Sequence, residues 1–388
     1  MKIKFYRSAT LGLDFDGVKI LTDPWLTDGE YYGSWAHYPH FDIEENLKEL
    51  NSYDAIYISH IHPDHCSENT LKKLSKNIPV FIHKFHSPYL KFKIEKLGFK
   101  TIELDNARKH KIKNDTFITI YAADNCDPEL CYKFTGCADL NVKNISQQID
   151  TLAVIENKND VIININDCPF ALAKHPLKII KKKYKDIRVL LTGYSGAGPY
   201  PQCYDNLNDN QKIIEADKKK LNFLNQALNF IDLLKPKYYL PCAGTYYLTG
   251  KLSSKQNLRG VPSAEESLLF IDEQLKKDID NKTKSIKIGP DQEFDLDNLE
   301  HNSKYNPIDQ KLQNKYVEEV LQKKTFNYED NTIPTKEDIY ELSKNAYKNF
   351  INKKIQQNSK IETDIIINFG EASLLLAFDK SEIELKDS

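Results

Sequence analysis

The sequence predicts an α/β fold, because short apolar segments alternate with segments of helical periodicity over about the first 290 of its 388 residues. Hydrophobic residues make up 40% of the chain and aromatic residues 11%, which is enough for a sizeable core and excludes global disorder. The length allows two or three domains, or one large domain with an extension.

The predicted strands are short apolar runs, most of which end in a polar loop. They lie at 19–21, 55–59, 78–82, 117–122, 151–156, 161–166 and 188–192. Because only 157–160 separates the fifth run from the sixth, these two runs predict a hairpin.

Three predicted helices have sequence signals of their own. Ser87 and Pro88 predict an N-cap followed by Pro at the first helical position, and Gly98 predicts the end of that helix. Residues 209–234 carry Ile and Leu at helical spacing. Ser263, with Glu at 265 and 266, fits a capping box that opens a helix to about residue 278.

The composition changes after residue 300. Residues 300–360 are rich in Lys, Asn, Gln and Glu, with two helix-like stretches, and a hairpin is predicted at 364–369 and 373–378. We therefore expect one domain at 1–295 and a mostly helical C-terminal extension at 296–388, whose role the sequence leaves open.

Charge and hydropathy exclude several classes of partner. The chain has 54 basic and 56 acidic residues, so it lacks the positive surplus that nucleic-acid binding requires. No apolar run reaches the roughly 18–20 residues needed to cross a bilayer, and the N-terminus lacks the apolar core of a signal peptide. Seven cysteines, an odd number, fit a reducing compartment. We expect a cytoplasmic protein without nucleic-acid partners.

One motif carries chemistry: Ser59-His60-Ile61-His62-Pro63-Asp64-His65, directly after a predicted strand. Successive residues of a straight loop point to opposite sides, so the loop must turn sharply if these side chains are to converge. His60 and His62 can then hold one metal ion, while Asp64 and His65 hold a second. The alternative is that the histidines are ordinary surface residues.

This motif resembles the metal signature of the metallo-β-lactamase superfamily, which also has an early strand-end Asp, matched by Asp23, and a later bridging Asp, matched by Asp167. The segments 23–26, 59–74, 166–168, 191–204 and 235–244 are most similar to the metallo-β-lactamase portion of CMP-N-acetylneuraminate hydroxylase. The resemblance implies an αβ/βα sandwich with two divalent metal ions at one sheet edge. It implies that Asp64 and Asp167 are catalytic, while Asp23, Tyr194 and Ser195 support the site or line its pocket.

Two histidines of the superfamily pattern are missing. The loop 123–129 has none, and the hydroxylase branch reads His-Pro-Glu where this chain has Asp127-Pro128-Glu129. We therefore expect Asp127 to be the substitute ligand, with Asp124 and Glu129 as alternatives. A further histidine is absent from 241–244, where the hydroxylase branch also reads Ala-Gly. A site rich in carboxylates favours iron or manganese over zinc.

The favoured function is that of an iron-dependent oxygenase acting on an amino sugar or another polar small molecule. Because the chain shows no C-x-H…C-x-x-H pattern for a Rieske cluster, such an enzyme needs a separate electron donor. The alternative is a zinc-dependent hydrolase of an ester, amide, lactone or phosphodiester. A third hypothesis is a non-catalytic binding protein with a degenerate site. Metal identity separates the three.

Overall fold

The computed structural model describes residues 1–136, 138–326, 329, 334–356, 359–360, 363–370, 372–378 and 382–387. They belong to two compact units, Met1–Lys324 and Thr325–Ser388. In the first unit, two large β-sheets pack face to face and helices cover both outer surfaces. The predicted αβ/βα sandwich is thus confirmed.

Both large sheets are mixed. In spatial order, the strands of the first sheet are β17 (Glu300–His301), β16 (Glu293–Asp295), β1 (Lys2–Arg7), β2 (Thr10–Phe15), β3 (Val18–Thr22), β5 (Ala55–Tyr57), β6 (Val80–His83) and β7 (Thr101–Leu104). Those of the second are β15 (Lys284–Ser285), β13 (Tyr238–Pro241), β12 (Val189–Thr192), β11 (Val161–Asn164), β10 (Thr151–Glu156), β9 (Thr116–Ala122) and β8 (Lys109–Lys113). A small ribbon pairs β4 (Trp35–Ala36) with β14 (Tyr247–Leu248).

The helices of the first unit flank these sheets. They are α1 (Ile43–Leu50), α2 (Glu68–Lys73), α3 (Tyr89–Lys96), α4 (Pro128–Thr135), α5 (Phe170–Lys183), α6 (Asp209–Leu234), a 3-10 helix (Gly250–Leu258), α7 (Ala264–Leu275), α8 (Gln310–Tyr316) and a π-helical turn (Val317–Leu321). Among the described helices of the chain, none is both long and apolar enough to cross a lipid bilayer.

Strand direction determines where the functional loops lie. In the first sheet β3, β5, β6 and β7 run parallel, and in the second β11, β12 and β13 run parallel. The carboxyl ends of parallel strands lie at one edge of their sheet, where ligands of α/β proteins commonly bind. The loops after β3, β5, β11 and β12 carry Asp23, the His60–His65 motif, Asp167 and Ser195 respectively.

The sequence predictions hold for most elements, and the differences have local causes. The helix at 209–234 is confirmed as α6, whose Asn208 forms a capping box with Gln211. Helix α3 begins at Tyr89, because Pro88 rather than Ser87 occupies the N-cap, and α7 ends at Leu275 rather than near 278. The hairpin of β2 and β3 was not predicted, although Asp16 and Gly17 both have positive φ and form the turn between two apolar runs.

The first compact unit extends beyond the boundary predicted at 295/296, because residues 300–321 pack back onto it. Strand β17 pairs with β16, and Tyr305 donates a hydrogen bond to Glu265. The ring of Tyr316 lies 5.4 Å from that of Tyr38. That the segment 296–388 has a role of its own stays a prediction.

The second unit contains α9 (Lys336–Gln356) and a sheet in the order β18 (Ile365–Phe369), β19 (Ala372–Ala377) and β20 (Glu382–Asp387). The predicted hairpin is confirmed by the antiparallel pairing of β18 with β19, and Glu371 of its turn lies outside the described residues. Helix α9 packs on this sheet through Phe350, whose ring lies 4.7 Å from that of Phe378.

We predict that His37 makes the first unit sensitive to acid. Its ring is 3% exposed, lies 4.0 Å from the ring of Trp25, and its Nε2 has no hydrogen-bond partner among the described residues. Burial lowers the pKa of His37 to about 3. Above pH 6.5 the residue is neutral in both folded and unfolded states, whereas below it only the unfolded state gains a proton. Stability should therefore fall by up to about 1.4 kcal/mol per pH unit as the pH decreases from 6.5.

The test compares His37→Phe with the parent by denaturant unfolding at pH 7 and pH 5. We expect the variant to lose about 2 kcal/mol less stability over this interval than the parent. An identical pH dependence in the two proteins would show that His37 does not titrate on unfolding.

Candidate metal centre

The His60–His65 loop turns sharply, as the motif requires. The backbone N–H groups of His65 and Cys66 both donate to the carbonyl of His62, over 3.0 and 2.8 Å, and Ser67 then caps α2. This turn brings His60 Nε2 to 2.9 Å from His62 Nδ1. It also places the ring centroids of His60 and His65 4.2 Å apart. The predicted convergence of the three imidazoles is therefore present.

Two clusters of ligand-type atoms share one carboxylate. His60, His62 and Asp167 form the first, and Asp64, His65 and Asp167 the second, with the candidate ligand atoms of each cluster within 4.8 Å of one another. Asp167 Oδ2 lies 3.3 Å from His65 Nε2 and 3.9 Å from His60 Nε2. This division matches the predicted pair of metal ions bridged by Asp167.

The donor set fits divalent cations. Imidazole nitrogens and carboxylate oxygens are common ligands of zinc, iron and manganese. His60 Nε2 lies 2.9 Å from His62 Nδ1, a distance at which one ring N–H can donate to the other nitrogen, and 3.9 Å from Asp167 Oδ2. That these residues bind metal stays a prediction. The clustering of their ligand-type atoms is consistent with it.

Asp23 contacts the residues of the centre from the buried end of β3. This fully buried carboxylate accepts hydrogen bonds from the backbone N–H and the hydroxyl of Ser59, at 2.7 and 2.9 Å, and lies 3.0 Å from His65 Nδ1. When Nδ1–H donates to Asp23, Nε2 of His65 is left free to face Asp167. Tyr31 similarly donates to Asp64 over 2.7 Å. The predicted supporting position of Asp23 agrees with these contacts.

Burial and close charges perturb the pKa values of the cluster. Burial lowers the pKa of His60 and also acts against protonation of His65. For His65, however, the carboxylates of Asp167, Asp23 and Asp64 outweigh burial and raise the pKa well above its usual range. Burial acts to raise the pKa of Asp167, but the charge of His65 outweighs burial and lowers this pKa to about 2. The protonation of His65 and that of Asp167 therefore depend on each other.

The structure does not bring Asp127 to either cluster, contrary to our expectation. Its exposed carboxylate caps α4 by accepting from the backbone N–H groups of Glu129 and Leu130, at 3.0 and 3.3 Å. Asp followed by Pro is a common helix start, which explains this role. Of the alternatives, Asp124 accepts from the backbone N–H groups of Cys126, Gln147 and Gln148, and Glu129 is exposed.

Asp150, which the sequence did not single out, lies beside the first cluster without belonging to it. It is 8% exposed, and its Oδ1 lies 4.0 Å from His60 Nε2. Burial, followed by the charge of Asp167, raises the pKa of Asp150 to about 7. Asp150 directly precedes β10, which runs antiparallel to β11, so its start lies at the same edge as the end of β11. Only the strand direction could have identified it.

A cavity of about 280 Å³ opens beside the centre, lined by His62, Asp150, Asn166, Asp167, Ser195 and Phe223 among others. Ser195 is where the resemblance implied. Tyr194 is not: it is 2% exposed and fills the space beneath Gly244, where an added Cβ would lie 2.5 Å from the tyrosine ring. On the other side of the centre, Trp25, Trp35 and Tyr246 form an aromatic wall near Asp64 and His65.

Comparisons with known proteins agree with this geometry. Residues 2–156 match the family model of the β-lactamase superfamily domain. The chain is 24% identical over 283 residues to the cytidine monophosphate-N-acetylneuraminic acid hydroxylase of Xenopus laevis, covering 70% of this chain and 43% of that protein. The chain therefore spans less than half the length of this relative. The predicted resemblance is confirmed.

Solved structures of both hydroxylases and hydrolases are similar to this chain. The diiron β-hydroxylase CmlA of Streptomyces venezuelae has a TM-score of 0.44 at 15% identity, with 74% of this chain and 52% of that chain covered. The isothiocyanate hydrolase from Delia radicum gut bacteria has a TM-score of 0.48 at 17% identity, with 76% and 99% covered.

We predict that Asp167→Ala removes more metal than His62→Ala, because Asp167 belongs to both clusters and His62 to one. Metal analysis of the purified proteins should show partial loss in His62→Ala and nearly complete loss in Asp167→Ala. The matched control is Asp127→Ala, which should keep its metal and lose about 1 kcal/mol of stability as a helix cap. Full metal content in Asp167→Ala would contradict the assignment.

A second prediction concerns Asp23. Asp23→Asn keeps the shape but removes the negative charge and one acceptor, so His65 loses its orienting partner. We expect metal affinity to fall about 10–100-fold, measured by competition with a chelator. Asp14→Asn, near the end of β2, is the control and should leave the affinity unchanged. Equal affinities in all three proteins would exclude the supporting role.

Proposed function

Residues 2–156 of this chain are a β-lactamase superfamily domain, and we propose that the protein is a dinuclear iron enzyme that hydroxylates a small polar molecule with dioxygen. The observation that carries this proposal is the position of Asp150. Its carboxylate lies 4.0 Å from His60 Nε2, beside but outside the two ligand clusters, which already hold the carboxylates of Asp64 and Asp167 with three imidazoles. Oxygen donors favour iron or manganese over zinc.

The names of relatives support the same class of reaction. The relative from Xenopus laevis is a hydroxylase of cytidine monophosphate-N-acetylneuraminic acid. For this protein we propose a substrate of the same class, an amino sugar or a similar polar molecule. The side-chain amide of Asn166, buried and without a partner among the described residues, lines the cavity beside Asp167 and offers a polar contact to such a molecule.

Side chains around the candidate metal site have different roles in this proposal. When bound, two iron ions would supply the redox chemistry with dioxygen, whereas two zinc ions would supply an activated water. Asp23 orients His65, and Tyr31 orients Asp64. Phe223 and Phe230 line the cavity and give it an apolar side. The electrons that an oxygenase needs would come from a donor other than residues 1–388, which contain no Rieske pattern.

The second candidate is a zinc-dependent hydrolase of an ester, amide, lactone or phosphodiester. The three imidazoles of His60, His62 and His65 favour it, because imidazole is a common zinc ligand. A non-catalytic binding protein fits less well, since ligand-type side chains of three loops converge beside an open cavity.

We predict that Asp150→His raises the ratio of zinc to iron in protein purified without added metal, because a neutral imidazole replaces a carboxylate next to His60. The matched control is Asp127→His, the same change at the helix cap of α4, which should leave the ratio unchanged. If the ratio changes in Asp127→His and not in Asp150→His, the metal ligand is Asp127.

Oxygen consumption separates the two candidate functions. The parent should contain iron and consume oxygen when a chemical reductant and a substrate are supplied. A parent that carries only zinc and consumes no oxygen would overturn the oxygenase proposal in favour of the hydrolase.

A further inference from the structure

A second cavity of about 280 Å³ lies apart from the candidate ligands and is polar. Tyr246, Tyr247, Gln256, Arg259, Ser263 and Lys220 are among its lining residues. Tyr246 also belongs to the aromatic wall of the metal centre, where its ring stacks on Trp35 at 3.7 Å. Tyr246 thus borders both this cavity and the side of the metal centre near Asp64 and His65.

Arg259 is a buried cation without a carboxylate partner. It is 8% exposed, its Nε donates to the carbonyl of Gln256 over 2.8 Å, and its Nη1 donates to the carbonyl of Tyr246. The guanidinium lies 5.0 and 5.5 Å from the rings of Tyr246 and Tyr247. Among the described residues no acidic group pairs with it, and its Nη2 donates no hydrogen bond.

This state distinguishes Arg259 from the other arginines of the chain. Arg7 pairs with Asp291, Arg108 with Asp105, and Arg188 with Asp160 and Asp297. A buried guanidinium is costly unless an opposite charge compensates it, since carbonyls and aromatic faces supply only partial charges. The surroundings of Arg259 therefore favour the binding of an anion from outside the chain.

The other groups around the cavity are also suited to an anion. Gln256 uses its Oε1 to accept from Leu248, while its Nε2 is buried and has no partner among the described residues. Ser263, the N-cap of α7, also borders the cavity, but its capping box with Glu266 already satisfies this helix start, which therefore adds nothing to the site. The acidic lining residues, Asp217 and Glu266, are exposed, and Glu266 is paired with Lys220.

We propose that this cavity binds an oxyanion, the phosphoryl or carboxylate group of a small molecule, through Arg259 and the amide of Gln256. An oxyanion in this cavity would accept from Nη2 of Arg259 and neutralise the buried charge, and Nε2 of Gln256 is a second donor without a partner among the described residues. The site requires no metal, so it stands independently of the proposed function.

The test titrates inorganic phosphate, and separately acetate, into the full-length protein at constant ionic strength, with binding measured by calorimetry. Because phosphate can also bind metal ions, the titration is repeated with Asp167→Ala, in which binding should persist. Binding of phosphate alone assigns a phosphoryl group, and binding of acetate extends the site to carboxylates. If neither anion binds saturably to the parent, the proposal is overturned.

Two variants locate the site. Arg259→Lys should weaken binding at least about tenfold, because a lysine cannot reproduce the planar donor pair. Gln256→Glu keeps the acceptor for Leu248 but removes the Nε2 donor and adds a negative charge, and it should also weaken binding about tenfold or more. The matched control is Lys218→Gln, which removes an exposed charge of α6 that pairs with Glu215. Unchanged affinity in folded Gln256→Glu, or equal loss in Lys218→Gln, would overturn the assignment.

Discussion

The candidate centre depends on one buried carboxylate. Asp23 has no exposed surface, and it connects the end of β3 to the loop after β5 through both the backbone and the side chain of Ser59. The same carboxylate lies against His65 Nδ1, so the position of the loop and the orientation of a candidate ligand rest on one group. Burial raises the pKa of Asp23, and the contacts with His65 and Ser59 act against this change. Loss of such a charge partner in a protein interior typically costs several kcal/mol.

The second constraint is the turn after β11, which delivers Asp167 to both clusters. Asn166 has a φ of 51°, a left-handed conformation that Asn tolerates better than most residues, and this turns Asp167 toward the histidines. The backbone of the neighbouring loop comes very close here, because a Cβ at Gly193 would lie 3.0 Å from the carbonyl oxygen of Asn166. The glycine thus allows the loop after β12 to close one side of the cavity.

These constraints also explain the composition of the centre. The loop after β9 leads directly into α4, so its acidic residues satisfy backbone N–H groups instead of facing the histidines. The nearby carboxylate comes from Asp150, at the start of an antiparallel strand. At this edge burial disfavours a charge on His65, but the carboxylates of Asp167, Asp23 and Asp64 outweigh burial and raise the pKa of His65. On the far side of Tyr246, Arg259 presents the opposite situation, a buried positive charge with no acidic partner among the described residues.

The sequence by itself determined the features that depend on residues close together in the chain. The spacing of His60, His62, Asp64 and His65 predicted the turned loop, and the apolar periodicity of 209–234 predicted α6 with both its ends. Only the tertiary structure decided which distant groups meet. It placed Asp150 rather than Asp127 beside His60, because strand direction determines which loop ends share an edge. It also left Arg259 unpaired, because whether a buried charge finds its counter-charge depends on packing between residues that are far apart in sequence.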